Sequence, residues 1–318
     1  MPCHFPLTAY KGRTINIETG KRPLVFNTRD GYHDTQLKIA CGQCRGCRRD
    51  RAKQWAVRCL HEASQHKNNC FITLTFNEKY LNPTGTLVKE DFQLFMKRLR
   101  RQYVPKCPYK KGTEDAKQWI ADHGISYYHC GEYGSIYNRP HHHACLFNHT
   151  FTDKTLWKDT GNVKLYRSPS LEKLWADPLT GESYGYSTIG DVTYDSAAYV
   201  AGYIHKKLNG SKAPDHYQGR LPEYATMSRR PAIGLRWFEK YSDDIVRQKG
   251  LILPGGFNHK VPKYYDRRFE LTNPDSYAQI KAERIQRVRA ETDNDERRLY
   301  VKSQVEDAKF ALKSRPLE

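Results

Sequence analysis

A chain of 318 residues is long enough for a sizeable core, and 53 Lys and Arg against 35 Asp and Glu leave a formal charge of +18. No apolar run approaches the roughly 18 residues of a membrane span and the N-terminus has no apolar signal core, so the chain reads as cytosolic, with no membrane partner. Aromatic residues make up 12%, and 22 tyrosines lie among the basic residues. That mixture favours a nucleic acid as partner, since bases stack on rings while cations hold phosphates.

Nine cysteines without a secretion signal are expected as reduced thiols or metal ligands. Cys41, Cys44 and Cys47 recur at C-x2-C intervals, with Cys3 and His4 near the terminus as candidate fourth ligands. Thiolates so spaced, with glycines between them to allow a tight turn, suit a structural zinc ion; an iron–sulfur site uses the same spacing, and free thiols are the plainest alternative. A helix is predicted from Arg48 to about Ser64, striped by Ala52, Trp55, Ala56, Cys59 and Ala63. Arg48, Arg49 and Arg51 make its first half basic, which fits a solvated face or one that meets a DNA backbone.

Cys70–Phe76 (CFITLTF) alternates β-branched and aromatic residues and reads as a central strand. Val88–Tyr103 is an amphipathic helix with Phe92, Leu94, Phe95 and Leu99 on its apolar side, and a loop runs from Cys107 to about Lys117. Ile125–Glu132 reads as a second strand, and after a polar loop through Asn138 the chain returns along His141–Phe147, so the two form an antiparallel hairpin. Side chains alternate faces along a strand, so His141 and His143 point one way and His142 the other. The hairpin sets Glu132 beside the histidine pair. One carboxylate and two imidazoles leave positions on a divalent ion for a phosphate oxygen and water.

After a polar stretch from about Asn148 to Ser187, Ile189–Tyr194 reads as a strand, and Asp195 or Ser196 caps a helix from Ala197 to about Leu208. Tyr199, Tyr203 and Lys206 fall on one stripe of that helix, with Lys207 close by. Half-buried packing is the ordinary role of tyrosines at this spacing, but lysines stand where an apolar stripe would continue. A phenol with pKa near 10 needs a cation or base beside it to act as nucleophile, so tyrosines and a metal pair suggest phosphodiester chemistry through a phosphotyrosine. Arg229, Arg230 and Lys207 are candidates for DNA-backbone contacts. From Pro274 onward the chain is densely charged and predicts a surface helix broken near Thr292–Asn294.

These motifs, in this order, resemble those of HUH endonucleases that initiate rolling-circle replication. Within that group the chain is most similar to replication initiators of small single-stranded DNA phages, the microviruses of gokushovirus type. The likeness rests on the early cysteine cluster, GEYG before RPHHHACLF, SAAYVAGYIHKK and MSRRPAIGLRWFEKY, and covers roughly residues 40 to 245. It implies that His141 and His143, with Glu132 as third ligand, bind Mg²⁺ or Mn²⁺. Tyr199 or Tyr203 would then attack phosphorus, leaving a 5′-phosphotyrosine and a free 3′-OH, and the second tyrosine would cut the regenerated origin so that the displaced strand closes into a circle. Lys206 would assist Tyr203, whereas Gly202 occupies the matching place after Tyr199, so the two tyrosines need not be equivalent.

The implied partners are single-stranded and nicked origin DNA of the phage genome and, for want of a P-loop, a host helicase alongside the host DNA polymerase, all in the host bacterial cytoplasm. The alternatives are a single-tyrosine relaxase, plasmid initiator or transposase of the same fold, and a non-catalytic zinc-dependent DNA-binding protein. The expected fold is α+β: an HUH-type central antiparallel sheet of about five strands flanked by helices, after an N-terminal Cys-rich zinc-binding segment and before a C-terminal charged helical tail. Three consecutive segments are expected: 1–69 (Cys cluster and basic helix), 70–210 (endonuclease with the two-tyrosine helix) and 211–318 (basic accessory segment and tail).

Overall fold

The computed structural model describes residues 3–18, 20–134, 137–161, 163–202, 213–247, 250–253, 256–290 and 293–312. In chain order its elements are β1 (Leu7–Lys11), β2 (Leu24–Val25), β3 (Leu37–Ile39), α1 (Arg45–Ala63), β4 (Asn69–Leu74), α2 (Lys89–Tyr103), α3 (Glu114–His123), β5 (Ser126–Tyr133), β6 (Pro140–Phe147), β7 (Thr155–Asp159) and β8 (Lys164–Arg167). There follow α4 (Pro169–Leu174), β9 (Ser187–Gly190), α5 (Tyr194–Gly202), α6 (Ala213–Tyr217), β10 (Tyr224–Met227), α7 (Leu235–Arg247), β11 (Leu251–Leu253), β12 (Phe257–His259), α8 (Lys263–Thr272), α9 (Pro274–Ala290) and α10 (Glu296–Ala311). These fold into two compact units, residues 1–51 with 278–315 and residues 52–277. That division joins the two ends of the chain in one unit, where the sequence reads as three consecutive segments.

In the unit made of the chain ends, β1 pairs antiparallel with both β2 and β3. The charged C-terminal helix α10 belongs to this unit. Glu306 accepts from His4 and Arg49, each at 3.0 Å, Asp307 pairs with Arg45 at 2.9 Å, and Leu299 is buried.

The other unit is built on a seven-stranded sheet in the order β10-β5-β6-β4-β9-β8-β7, with every pairing antiparallel. The expected α+β architecture holds, with more strands than the five read from sequence. The hairpin β7–β8 comes from the polar segment 148–187; every residue of β7 is exposed, so no alternation marks it as a strand. The central strands β4 and β6 are buried on both faces. Ile72, Leu74, Ala144 and Leu146 meet Phe92, Phe95, Met96 and Leu99 of α2 on one side. Phe71, Cys145 and Phe147 meet Ala52, Ala56 and Cys59 of α1 and Ala197, Val200 and Ala201 of α5 on the other.

Local differences from the sequence reading have simple causes. In α2, Leu94 is half exposed and Met96 completes the stripe, because 92, 95, 96 and 99 follow the i, i+3, i+4, i+7 rule. Thr113 caps α3 by accepting from the Ala116 amide, which turns the end of the expected loop into a helix. The helix α5 starts at Tyr194, earlier than Ala197, and Thr193 is its cap. The Thr193 hydroxyl accepts from the Ser196 amide at 3.1 Å, and the Ser196 hydroxyl accepts from the Thr193 amide at 2.8 Å.

The core carries histidines that must stay neutral. His61 stacks on Trp237 at 3.5 Å between centroids and hydrogen-bonds the Tyr265 hydroxyl at 3.0 Å. Burial, with His259 adding, pushes its pKa down to about 3, and burial pushes His149 down to about 4. A folded-state pKa below the unfolded value of 6.5 means that stability is complete above pH 6.5 and is lost as pH falls towards the folded pKa. Between pH 6.5 and 5, His61 alone is expected to cost about 2 kcal/mol of stability. Urea unfolding across that range checks it. His61→Phe should flatten the dependence by about one proton, and an unchanged slope would count against this origin.

Candidate active site

The β5–β6 hairpin sets the site by register. Glu132 lies opposite His141 and Cys130 opposite His143, while on the far side of β6 Thr73 of β4 lies opposite His143. Between the strands, the Gly134 amide donates to the Arg139 carbonyl at 3.0 Å, and Asn138 takes a left-handed φ of 50°, which asparagine tolerates well. At Gly131 a Cβ would lie 2.9 Å from the Tyr224 ring of β10, so the sheet closes over this hairpin only with glycine there.

The structure brings Glu132, His141 and His143 together, with candidate ligand atoms all within 4.8 Å of one another. Glu132 Oε1 stands 2.7 Å from His141 Nε2 and 3.0 Å from His143 Nε2. The Nδ1–H of His141 donates to the Arg139 carbonyl at 3.0 Å, so in the neutral ring the Nε2 lone pair faces a carboxylate oxygen. Two acceptors so placed need a cation between them, a proton or a metal ion. His143 Nδ1 is held by the Thr73 hydroxyl at 2.9 Å, and its ring stacks on Phe71. This is the outer-shell arrangement that fixes metal-binding imidazoles. Burial would raise the carboxyl of Glu132, which is fully enclosed, but the hydrogen bonds from His141 and His143 outweigh it and hold the group below its usual range. The donor set therefore fits a divalent ion.

Strand alternation turns His142 to the opposite face, where its Nδ1 meets His129 Nε2 at 3.1 Å. Burial first, then His141 and His143, pushes His142 down to about 3, and burial also lowers His129 well below the usual imidazole value. Both are neutral core side chains behind the site, with His129 stacked on Phe92 at 3.6 Å.

The helix α5 packs against β6 and brings Tyr199 to the same place. Its ring is half-buried and stands edge-on to His143, with centroids 5.2 Å apart, and edge-on to Phe71 at 6.3 Å. Tyr203, Lys206 and Lys207 lie outside the described residues. Arg229 and Arg230 are exposed just beyond β10. Thr73 and Phe71 were missed by sequence reasoning. Their parity on β4 puts them on one face, but only the β4–β6 pairing shows that this face is the histidine side.

A second candidate metal cluster lies in the unit of the chain ends. The sulfurs of Cys3, Cys41, Cys44 and Cys47 all lie within 4.8 Å of one another, and Cys3 and Cys44 are 3.9 Å apart. Sulfurs at about 2.3 Å from a tetrahedral zinc lie about 3.8 Å from each other, so the geometry fits. Backbone amides of Cys41, Cys44 and His4 donate to cluster sulfurs at 3.3 to 3.4 Å. Burial opposes ionisation of Cys41, but the amides of Cys44 and Gln43 win and lower it to about 7. Cys3 completes the set; His4 turns to Glu306 instead.

Of the basic residues before and within α1, Arg49 is ion-paired to Glu306 within this unit, and Arg51 is exposed. Zinc at the sulfur cluster is expected at one per chain by elemental mass spectrometry. Cys44→Ser should lose it and expose residues 1–51 to protease, because such sites carry on the order of 10 kcal/mol of folding energy. Unchanged protease resistance without metal would remove the structural role.

A buried carboxylate and a His-x-His pair on adjacent antiparallel strands, with a tyrosine helix beside them, define an HUH-type metal site of the nuclease kind. Residues 69–208 match the family described as Replication-associated protein ORF2/G2P. The chain is 31% identical over 243 residues to Replication-associated protein VP4 of Bdellovibrio phage phiMH2K, covering 76% of this chain and 70% of that protein. It is 34% identical over 242 residues to Replication-associated protein ORF2 of Spiroplasma virus 4, covering 73% and 68%. With Replication-associated protein ORF4 of Chlamydia phage 1 it shares 28% over 253 residues, 74% of this chain and 55% of that one. No solved structure matches this chain. The chain belongs to this family of phage replication-associated proteins. No helix among the described residues is long and apolar enough to cross a membrane.

Proposed function

We propose that this protein is a rolling-circle replication initiator of gokushovirus type, a single-strand endonuclease that nicks the phage origin through a 5′-phosphotyrosine and rejoins the displaced strand into a circle. The observation that carries the reading is the convergence of Glu132, His141 and His143 with the Tyr199 ring edge-on to His143. A bound Mg²⁺ or Mn²⁺ would stabilise charge on the phosphoryl oxygens, where the transition state needs it. The chain's own residues do the rest. Thr73 and the Arg139 carbonyl hold the imidazoles in one orientation, and Phe71 backs His143. The Tyr199 or Tyr203 oxygen forms a bond to phosphorus as the bond to the 3′ oxygen breaks. The phenol gives up its proton to solvent, the departing 3′ oxygen takes one up from solvent, and the resulting 3′-OH is free to prime a host polymerase. Lys206 and Lys207, with Arg229 and Arg230, supply cations for the scissile and neighbouring phosphates. A cycle that borrows a host helicase and a host polymerase would run in the host bacterial cytoplasm.

The test uses labelled single-stranded oligonucleotides tiled across the candidate origin with Mn²⁺. A protein–DNA band that survives boiling in detergent is expected in wild type and absent without metal or in the Tyr199→Phe/Tyr203→Phe double variant. An adduct that persists in the double variant would overturn the nucleophile. An origin bound but never cut would favour the non-catalytic DNA-binding reading.

A further inference from the structure

In the unit of the chain ends, residues 11–32 gather five cations against two carboxylates, Glu18 and Asp30. The chain doubles back there so that Lys11–Arg13 runs beside Asp30–Tyr32. The Arg13 amide donates to the Asp30 carbonyl and the Tyr32 amide to the Lys11 carbonyl, each at 3.0 Å. Asn27 and Asp30 close the preceding turn: the Asp30 amide donates to Asn27 Oδ1 at 2.9 Å and Asn27 Nδ2 to the Asp30 carboxylate at 3.0 Å. That turn carries Arg29. Gly31 lets it lie close on β1 and β2, since a Cβ there would stand 2.6 Å from Tyr10 Cβ and 2.9 Å from Val25 Cγ2.

The chemistry of this surface suits unpaired nucleotides. Lys11, Arg13 and Arg29 are exposed and make no ion pair among the described residues. Arg22 donates to the carbonyls of Gly12 and Arg13 at 3.2 and 2.5 Å, and its guanidinium lies 5.1 Å from the centroid of the Tyr32 ring. These bonds orient the guanidinium and leave its charge in place. Beside the cations, Phe26 and Tyr32 are 61% and 40% exposed. One exposed ring is ordinary on a protein surface. Two rings among four cations match what a single strand offers, bases with free faces along a chain of phosphates. The bases of a duplex are already stacked on one another and present no such faces to a surface.

We infer that Lys11, Arg13, Arg22 and Arg29, with Phe26 and Tyr32, form a second contact for single-stranded DNA, apart from the metal centre. The cations hold phosphates and the rings stack bases without choosing among them. The choice of DNA rests on the proposed single-strand endonuclease reading, while the contact itself uses no residue of the metal centre.

The test is fluorescence anisotropy on the full chain with a labelled thymidine oligomer of about 20 nucleotides, longer than one compact single-strand site, across a range of salt. Arg13→Gln/Arg29→Gln should weaken binding and flatten the plot of log affinity against log salt by about 1.4, the share of two phosphates on a single strand. Phe26→Ala should weaken binding about tenfold with the salt slope unchanged, and Phe26→Trp should restore it. Binding of the same oligomer in a duplex should not respond to Phe26→Ala, a selectivity that a misfolded variant would not show. Wild-type affinity and slope in both variants, or equal loss on single strand and duplex, would overturn the inference. Tighter binding of a uridine oligomer than of the thymidine one would overturn the choice of DNA. Mn²⁺-dependent adduct on origin oligonucleotides is measured on the same wild-type preparation. Adduct formation with no effect of the substitutions on binding removes only this contact, and substitution-sensitive binding without any adduct removes only the endonuclease reading.

Discussion

On the proposed reading, His143→Gln is expected to slow metal-dependent cleavage by about a thousandfold, because it would withdraw one of three candidate ligands from an ion that would offset charge in the transition state. Glutamine keeps much of the bulk behind Phe71, so the fold should survive. The informative companion is Thr73→Val. The Thr73 hydroxyl touches no substrate in this reading; it holds His143 Nδ1 at 2.9 Å and so aims Nε2 at the site. Its loss is expected to weaken metal affinity about 10- to 100-fold with cleavage restored at high Mn²⁺. His143→Gln should not be restored. A titration of cleavage rate against Mn²⁺ separates the two. If both variants cut at the wild-type rate and metal requirement, the cluster is not the catalytic centre.

The metal cluster was legible because every part of it lies in one hairpin. Local alternation puts His141 and His143 on one face, and a short loop lets the register bring Glu132 opposite His141. Thr73 was not legible, since the choice of β4 as the other neighbour of β6 is made by long-range packing. The outer strand β7 escaped for a different reason: exposed along its whole length, it carries no hydrophobic period.

Charge was the least readable property. Arg58 belongs to a basic run, yet its guanidinium lies 4.0 Å from the ring centroids of both Trp55 and Tyr264 and donates to the Ile233 carbonyl at 3.1 and 2.9 Å. Arg45 and Arg49 pair with acids of α10 instead of standing open. A sequence shows that such residues are cationic, while the fold decides which of them are already engaged. The fourth cysteine ligand makes the same point. Cys3 and His4 are equivalent in sequence position, and the nearby Glu306 takes the histidine.

Tyr199→Phe is expected to separate the two halves of the proposed cycle. A tyrosine that holds the DNA end as a phosphodiester cannot cut a second time, so one remaining nucleophile permits a first cleavage but not the paired cut and closure. Tyr199 stands beside His143 in a half-buried setting, with the rings of His143 and Phe71 edge-on to it. Its partner four residues later follows the same helical stripe in sequence, and Lys206 stands three residues after Tyr203 where Gly202 follows Tyr199.

If His143 adjacency governs reactivity, Tyr199→Phe lowers first-cut adduct by about tenfold or more and Tyr203→Phe leaves most of it. If the lysine governs, the ranking reverses. Either way, each single variant should accumulate adduct and release no closed circle, while wild type releases circles. The measurement is a burst assay on an origin substrate carrying two cleavage sites, with adduct and circular product counted in one gel. Circle release at the wild-type rate by either single variant would mean that one tyrosine serves both cuts. The single-tyrosine reading would then replace the two-tyrosine cycle, with the metal cluster keeping its role.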